Sequence, residues 1–137
     1  MSKESTESDR LLELHHTHVK AWNEFDLGAL GKIYDPDCYI FDTIPPPVFR
    51  NLGEFLEHVT PAIQSFNAFK LRTFDQVVRV DERRDDRIGW IASRYEMEAR
   101  RGEGVNRRTG RWTEIYEKRA GEWKLVHLHA SDDPEER

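Results

Sequence analysis

Apolar residues in the first third of the chain recur at helical spacing. Leu11, Leu12, Val19 and Trp22 share one face of a helix predicted over residues 9–23, with Thr6 or Ser8 available as its cap. A second, shorter helix follows Asp26, and Pro36 ends it because proline disfavours helical geometry in the residue before it. The stretch CYIFD (residues 38–42) then predicts a short buried strand, and the three prolines of TIPPPVF predict an irregular loop.

A third helix is predicted from Asn51, which has Glu54 three residues later as in a capping box. Pro61 is expected to kink or split this helix. Its apolar stripe consists of Leu52, Phe55, Leu56, Val59, Ile63 and Phe66.

From Phe69 onward the period changes to two, which predicts strands. We expect them at about 69–81, 87–100, 109–119 and 122–131, joined by turns at DERRDD, GEGVN and AG. Helices followed by strands with short connections predict an α+β fold with an antiparallel sheet. In the second of these strands Trp90 and Ala92 alternate with Ile91, Tyr95 and Met97, so both faces need cover, and a partner subunit would cover one.

Length and composition limit the class of protein. The 137 residues predict one domain at 9–131, with flexible tails at 1–8 and 132–137. A formal net charge of −5 argues against a nucleic-acid partner. Cys38 is the only cysteine and is expected to be a small buried hydrophobe in a reducing compartment. With no apolar run of about 20 residues and no signal segment, a cytoplasmic protein without a membrane partner is expected.

Two side chains suggest acid–base chemistry. Asp42 closes a buried strand, and a carboxylate facing an apolar cavity there would have a raised pKa and could move a proton. The alternative is that Asp42 only caps the following loop. His18 lies one helical turn before Trp22, where it either donates to a ligand or is satisfied by its neighbours. His15 and His18 share a helix face, but no carboxylate or cysteine stands at ligand spacing beside them, so no metal site is predicted.

The order of elements and several motifs resemble the nuclear transport factor 2-like superfamily. The segment YDPDCYIFD and the combination of Thr113 with RAGEW and VHLHAS carry the resemblance. The chain is similar to SnoaL-like and ketosteroid-isomerase-like proteins, and to the association (hub) domain of calcium/calmodulin-dependent protein kinase II. The resemblance implies a cone-shaped fold, with a pocket at its open end and dimerisation through the outer sheet face.

The resemblance also assigns residues. Asp42 aligns with the general base of the isomerases, and His18 stands where they have an oxyanion-binding tyrosine. Arg94 matches a hub-domain arginine associated with binding small carboxylates, whereas Glu114 replaces a second arginine of that pocket. We therefore expect Arg94 and Glu114 to pair inside the cone, either as a structural ion pair or as a reader of ligands with donor and acceptor groups. His127 and His129 are expected on the outer or interfacial side.

These observations predict a SnoaL-like homodimer, or a higher oligomer, that binds a small, partly apolar organic molecule. Any catalysis would be cofactor-free isomerisation or dehydration, with Asp42 as base and His18 or Arg94 steadying the oxyanion. The alternative is a non-catalytic oligomerisation or ligand-sensing module like the kinase hub domain. The residues expected to bind the ligand are Arg94, Glu114, Trp90, Trp112, Tyr116, Phe41 and Phe55.

Overall fold

A computed structural model describes residues 6–81 and 87–134. The predicted DERRDD turn falls mainly on residues 82–86, and the ends of both predicted tails, 1–5 and 135–137, also lie outside the described residues. The helices and strands run in the order α1 Glu7–Glu24, α2 Leu27–Ile33, β1 Tyr34–Phe41, β2 Val48–Phe49, α3 Leu52–Gln64, β3 Ala68–Val80, β4 Ile88–Arg101, β5 Gly104–Arg119 and β6 Glu122–Asp132.

Each helix begins at a side-chain cap. The Thr6 hydroxyl accepts from the Asp9 N–H and the Asp9 carboxylate accepts from the Thr6 N–H, so residues 6–8 belong to the cap and first turn of α1 rather than to a tail. Asp26 caps α2 as predicted, and the Asn51 side chain accepts from the Glu54 N–H at 2.8 Å. Pro61 does not split the helix as one of the two expectations had it, because it lies inside the continuous helix α3, near its C-terminal end.

The six strands form one curved, unclosed sheet in the order β2-β1-β6-β5-β4-β3. Strands β3 to β6 are antiparallel neighbours as predicted, whereas β1 joins β6 in parallel. Register shifts between Phe74 and Val77 and between Ile115 and Tyr116 are irregularities of the kind that bend a sheet. Helix α1 packs on β3 and β4, and α3 packs on β1 and β2. This arrangement is the predicted α+β fold.

The inner face of the sheet and the helices enclose the hydrophobic core. Cys38 is buried within β1, and burial raises the pKa of its thiol to about 12. Among the described residues, no helix is long and apolar enough to cross a membrane.

Candidate functional site

A cavity of about 260 Å³ lies between α3, the end of α1 and the inner face of the sheet. Its walls are mainly apolar and aromatic side chains: Trp22, Ile44, Phe55, Val59, Ala62, Ile63, Phe66, Phe69, Leu71, Met97, Trp112, Leu128 and Ala130. Its polar lining residues are Asp42, Thr43, Tyr95, Asn106 and Arg108. Since one water takes about 30 Å³ of liquid, the space suits a ligand of roughly ten non-hydrogen atoms.

Asp42 follows directly after β1 and presents its carboxylate at the cavity wall. Its Oδ1 atom accepts hydrogen bonds from the Thr43 N–H at 2.6 Å and from the Thr43 hydroxyl at 3.3 Å. Its Oδ2 atom makes no hydrogen bond with any of the described residues. Burial raises the pKa of Asp42, the Thr43 hydrogen bonds oppose this, and the nearby charge of Asp132 adds to the rise.

Tyr95 lines the same cavity and is held in place across a glycine. Its hydroxyl donates to Asp132 Oδ1 at 2.7 Å, and Arg108 donates to Asp132 Oδ2 at 2.9 Å. Tyr95, Gly110 and Asp132 occupy one cross-strand row, and a Cβ atom on Gly110 would lie 2.5 Å from the Tyr95 hydroxyl oxygen. The missing side chain therefore gives the phenol its route across β5 to Asp132. Burial, the hydrogen bond to Asp132 and the Asp132 charge raise the pKa of Tyr95, so it stays protonated.

A second polar cluster lies behind the cavity wall, centred on the buried carboxylate of Glu114. His15 Nδ1 contacts Glu114 Oε1, and His18 Nδ1 contacts Glu114 Oε2 at 2.9 Å. The Tyr116 hydroxyl also donates to Oε2. These four side chains are fully buried. Burial by itself would raise the pKa of Glu114, but the hydrogen bonds and charges of the two histidines lower it to about 2. The carboxylate is therefore ionised.

The cluster extends to the cavity through His18. Its Nε2 atom lies 2.7 Å from the Tyr34 hydroxyl and accepts from the Trp22 indole N–H at 3.0 Å. Because the Glu114 carboxylate only accepts, His18 Nδ1 carries a hydrogen and donates it to Glu114. Trp22 then forms part of the cavity wall. His15 uses its second nitrogen on the Thr73 hydroxyl at 2.9 Å.

The cavity contains three of the predicted site residues, Asp42, Phe55 and Trp112. His18, Glu114 and Tyr116 lie in the buried cluster, where both ring nitrogens of His18 are engaged by other side chains. A direct contact of His18 with a cavity ligand is therefore not what the structure shows. Within the described chain, no group of three or more His, Cys, Asp or Glu side chains is placed to hold a metal ion.

The predicted pairing of Arg94 with Glu114 is wrong. Glu114 pairs across the strands with Ile91, whereas Arg94 pairs with Arg111. Positions 91 and 94 are an odd number of residues apart, so their side chains point to opposite faces of the sheet. Arg94 is exposed, and contacts Asp133 at 3.4 Å and the ring of Phe74. The cavity is therefore not filled by an ion pair between Arg94 and Glu114.

Trp90 and Phe41 also lie on the outer face, not in the cavity. Two cross-strand rows define that face, one of Arg79, Trp90, Ile115, His127 and Tyr39, the other of Val77, Ala92, Thr113, His129 and Phe41. His127 and His129 are placed there as expected, with Phe41 against both rings. The His127 Nδ1–H donates to the Tyr39 carbonyl at 2.7 Å. Trp90 is 39% exposed and Val77 is 41% exposed, so this face is substantially apolar.

His15, Tyr34 and Tyr95 were not predicted as site residues. His15 and His18 lie on the helical stripe that also contains Leu11 and Trp22, so both histidines occupy core positions. That placement was a signal for a buried partner, which Glu114 supplies from 99 and 96 residues away. Tyr95 had no comparable signal, because its role depends on Gly110 and Asp132 on two other strands.

Solved structures share this architecture. The hub of calcium/calmodulin-dependent protein kinase II from S. rosetta has a TM-score of 0.79 at 20% identity, over 96% of this chain and 100% of that one. A nuclear transport factor 2-like protein from Salmonella enterica has a TM-score of 0.78 at 16% identity, covering 93% and 92%. A putative ketosteroid isomerase from Shewanella frigidimarina has a TM-score of 0.71 at 16% identity, covering 93% and 96%. At these identities the likeness is one of fold.

No curated protein matches the chain in sequence. The model of the SnoaL-like domain family matches residues 12–134, which include most of α1, the other two helices, the cavity and all four long strands. Family and fold agree with the resemblance that the sequence motifs indicated. The chain belongs to the SnoaL-like domain family, within the nuclear transport factor 2-like fold.

Proposed function

We propose that this protein binds a small, mostly apolar organic molecule in the cavity, and that Asp42 exchanges a proton with it. One observation carries the proposal. Asp42 is the carboxylate at the wall of an otherwise mainly apolar cavity, its pKa is raised by burial, and its Oδ2 atom is not bonded to the described residues. A carboxylate with a raised pKa is a better general base than an exposed one and can also return the proton.

The reaction class that fits is cofactor-free isomerisation or dehydration. In isomerisation, Asp42 Oδ2 would accept a proton from one carbon and deliver it to another, so that no proton is lost. His18 and Arg94 cannot steady the developing oxyanion, because one lies behind the wall and the other on the outer face. We assign that task to Arg108 and Asn106, which line the cavity and reach solvent.

Binding is tested first, with naphthalene as the probe. We expect titration of tryptophan emission to give saturable binding, since Trp22 and Trp112 line the cavity. The variant Ala62→Trp would fill the cavity and abolish binding. Gln64→Trp, on the exposed side of the same helix, is the matched control and should bind naphthalene like the natural chain. Equal binding by both variants would place the probe outside the cavity.

Proton transfer is tested with 2-tetralone, a bicyclic ketone whose α-protons exchange in D₂O. The protein should accelerate this exchange, measured by proton NMR, and Asp42→Asn should slow it by about 100-fold or more. The same variant should keep naphthalene affinity within about threefold, because its shape is unchanged. Unchanged exchange in Asp42→Asn would remove Asp42 as the base.

A second proposal concerns assembly, and the apolar outer face supports it. Trp90, Val77 and Ile88 are exposed there, and a second copy of the chain would cover them. We expect light scattering to give twice the mass of one chain, and Trp90→Lys to give a monomer. Leu27→Lys is the control, because Leu27 is equally exposed but lies on α2. A ring of more than two copies would favour the hub-like, non-catalytic alternative, and a monomeric natural chain would exclude both.

A further inference from the structure

The two hydroxyl groups that line the cavity have already used their hydrogens. The Tyr95 hydroxyl donates to Asp132, and the Thr43 hydroxyl donates to Asp42. Asp42 has no hydrogen to give when it is ionised. What these three residues can offer a ligand is therefore oxygen lone pairs. We call Asp42, Thr43 and Tyr95 the acceptor wall.

The other polar groups of the lining belong to Trp112, Arg108 and Asn106. Trp112 lines the cavity through its ring; its indole N–H has no hydrogen-bond partner among the described residues, but the nitrogen has essentially no exposed surface from which to reach a ligand. One guanidinium nitrogen of Arg108 donates a hydrogen bond to Asp132, and the Arg108 side chain is 38% exposed. Asn106 is exposed as well. The donors of Arg108 and Asn106 are therefore open to solvent, whereas the buried Tyr95 hydroxyl offers a ligand only an acceptor.

This distribution discriminates between ligand classes. A carboxylate placed at the wall would meet the acceptor oxygens and the negative charge of Asp42, whereas the charge of Asp132 is paired with Arg108. A bare ketone would leave the wall unpaired, which is costly for buried acceptors. A hydroxyl group would donate its hydrogen to Asp42 Oδ2, so that the buried acceptor is paired. A site built to pair with a substrate hydroxyl rejects the analogue that lacks it.

We infer that the cavity selects uncharged molecules bearing a hydroxyl group, which donates to the acceptor wall. This inference rests on the proposed function, because it names the ligand class of the same cavity. Tyr95 and Asp42 are then the residues that determine specificity. Within the proposed reactions, the preference favours substrates that carry a hydroxyl group over simple ketones and carboxylates, so 2-tetralone reports proton exchange at Asp42 but is expected to bind less tightly than a hydroxyl-bearing ligand.

The test compares three probes of one shape: 2-naphthol, 2-methylnaphthalene and 2-naphthoate. Affinities are measured by tryptophan emission for the natural chain, Asp42→Asn, Tyr95→Phe and Tyr39→Phe. Tyr39 lies on the outer face and is the matched control for the loss of a phenol hydroxyl. We expect the natural chain to bind 2-naphthol about 10- to 100-fold more tightly than 2-methylnaphthalene, as one hydrogen bond to a charged group implies.

Asp42→Asn should remove most of this preference, Tyr95→Phe should reduce it severalfold, and Tyr39→Phe should keep it. Affinity for 2-methylnaphthalene should stay within about threefold in all variants, which also shows that they fold. Equal affinity of the natural chain for 2-naphthol and 2-methylnaphthalene would overturn the inference and leave ligand binding intact. Tighter binding of 2-naphthoate would overturn it in favour of an anion site at Arg108. If no probe binds, the proposed function fails and the inference fails with it.

Discussion

Replacing Glu114 by glutamine tests whether the buried carboxylate organises the layer behind the cavity. Glu114 accepts hydrogen bonds from His15, His18 and Tyr116, and lies between Ile91 and Leu128 in its cross-strand row. An amide of the same shape has a single acceptor oxygen, and its NH₂ group would face a donor. Removing one partner of a buried charged group costs about 3–5 kcal/mol, and we expect Glu114→Gln to lose that much stability.

The lowered pKa of Glu114 implies a stability contribution of similar size. A fall from 4.5 to about 2 on folding is a difference of about 2.5 pH units, which corresponds to about 3 kcal/mol. Because the folded pKa is the lower one, this stability is present above about pH 4.5 and is lost as the pH falls toward 2. The natural chain should therefore lose stability over that interval more steeply than Glu114→Gln.

Urea unfolding followed by tryptophan emission measures both the free energy of unfolding lost in Glu114→Gln and the pH dependence of that free energy. Glu117→Gln is the matched control on the same strand, because Glu117 is half-buried and pairs with the exposed Arg119. Its cost should stay below about 1 kcal/mol at pH 7. A Glu114→Gln chain within 1 kcal/mol of the natural one, or with the same slope between pH 4.5 and 2, would refute the account of this cluster.

Two further predictions concern other parts of the fold. Gly110→Ala should cost about 1–3 kcal/mol, because its Cβ would lie 2.2 Å from the Ser131 carbonyl oxygen and 2.5 Å from Tyr95. Gly31→Ala, whose Cβ meets nothing within 4 Å, should be neutral or stabilising, and equal unfolding midpoints for the two variants would contradict this reading. Glu7→Gln should cost about 1–3 kcal/mol at pH 7, since Glu7 accepts from Lys118 and Trp123. Hydrogen bonds and the Lys118 charge lower the pKa of Glu7 against the effect of burial, so its contribution is lost in acid. A Glu7→Gln cost that persists undiminished in acid would be inconsistent with that assignment.

Local patterns predicted most of the fold. The period-two alternation from Phe69 onward predicted β3, β4 and β6 to within one residue at each end, and Asp26 and Asn51 begin their helices as caps. The predicted GEGVN turn is partly wrong, because β5 already begins at Gly104. The placement of Asp42 directly after a strand was likewise readable, because strand ends are marked by short-range signals. These features depend on neighbours in sequence, which is what a pattern records.

The members of the buried cluster could not be predicted from local sequence patterns. Glu114 meets His15 and His18 only because α1 crosses the inner face of the sheet, and nothing local fixes that crossing. The error over Arg94 has a simpler cause. Adjacent strands suggested a contact, but the register decides which side chains share a face, and a shift of one residue reverses it. Tyr95 shows the same dependence, since its partner is two strands away.

A crystal structure of the protein soaked with 2-naphthol tests the central claim most directly. We predict density for the naphthalene rings between Phe55 and the inner face of the sheet, with the hydroxyl oxygen within hydrogen-bond distance of Asp42 Oδ2. Density elsewhere on the surface, or rings in the cavity with the hydroxyl turned away from Asp42, would contradict it.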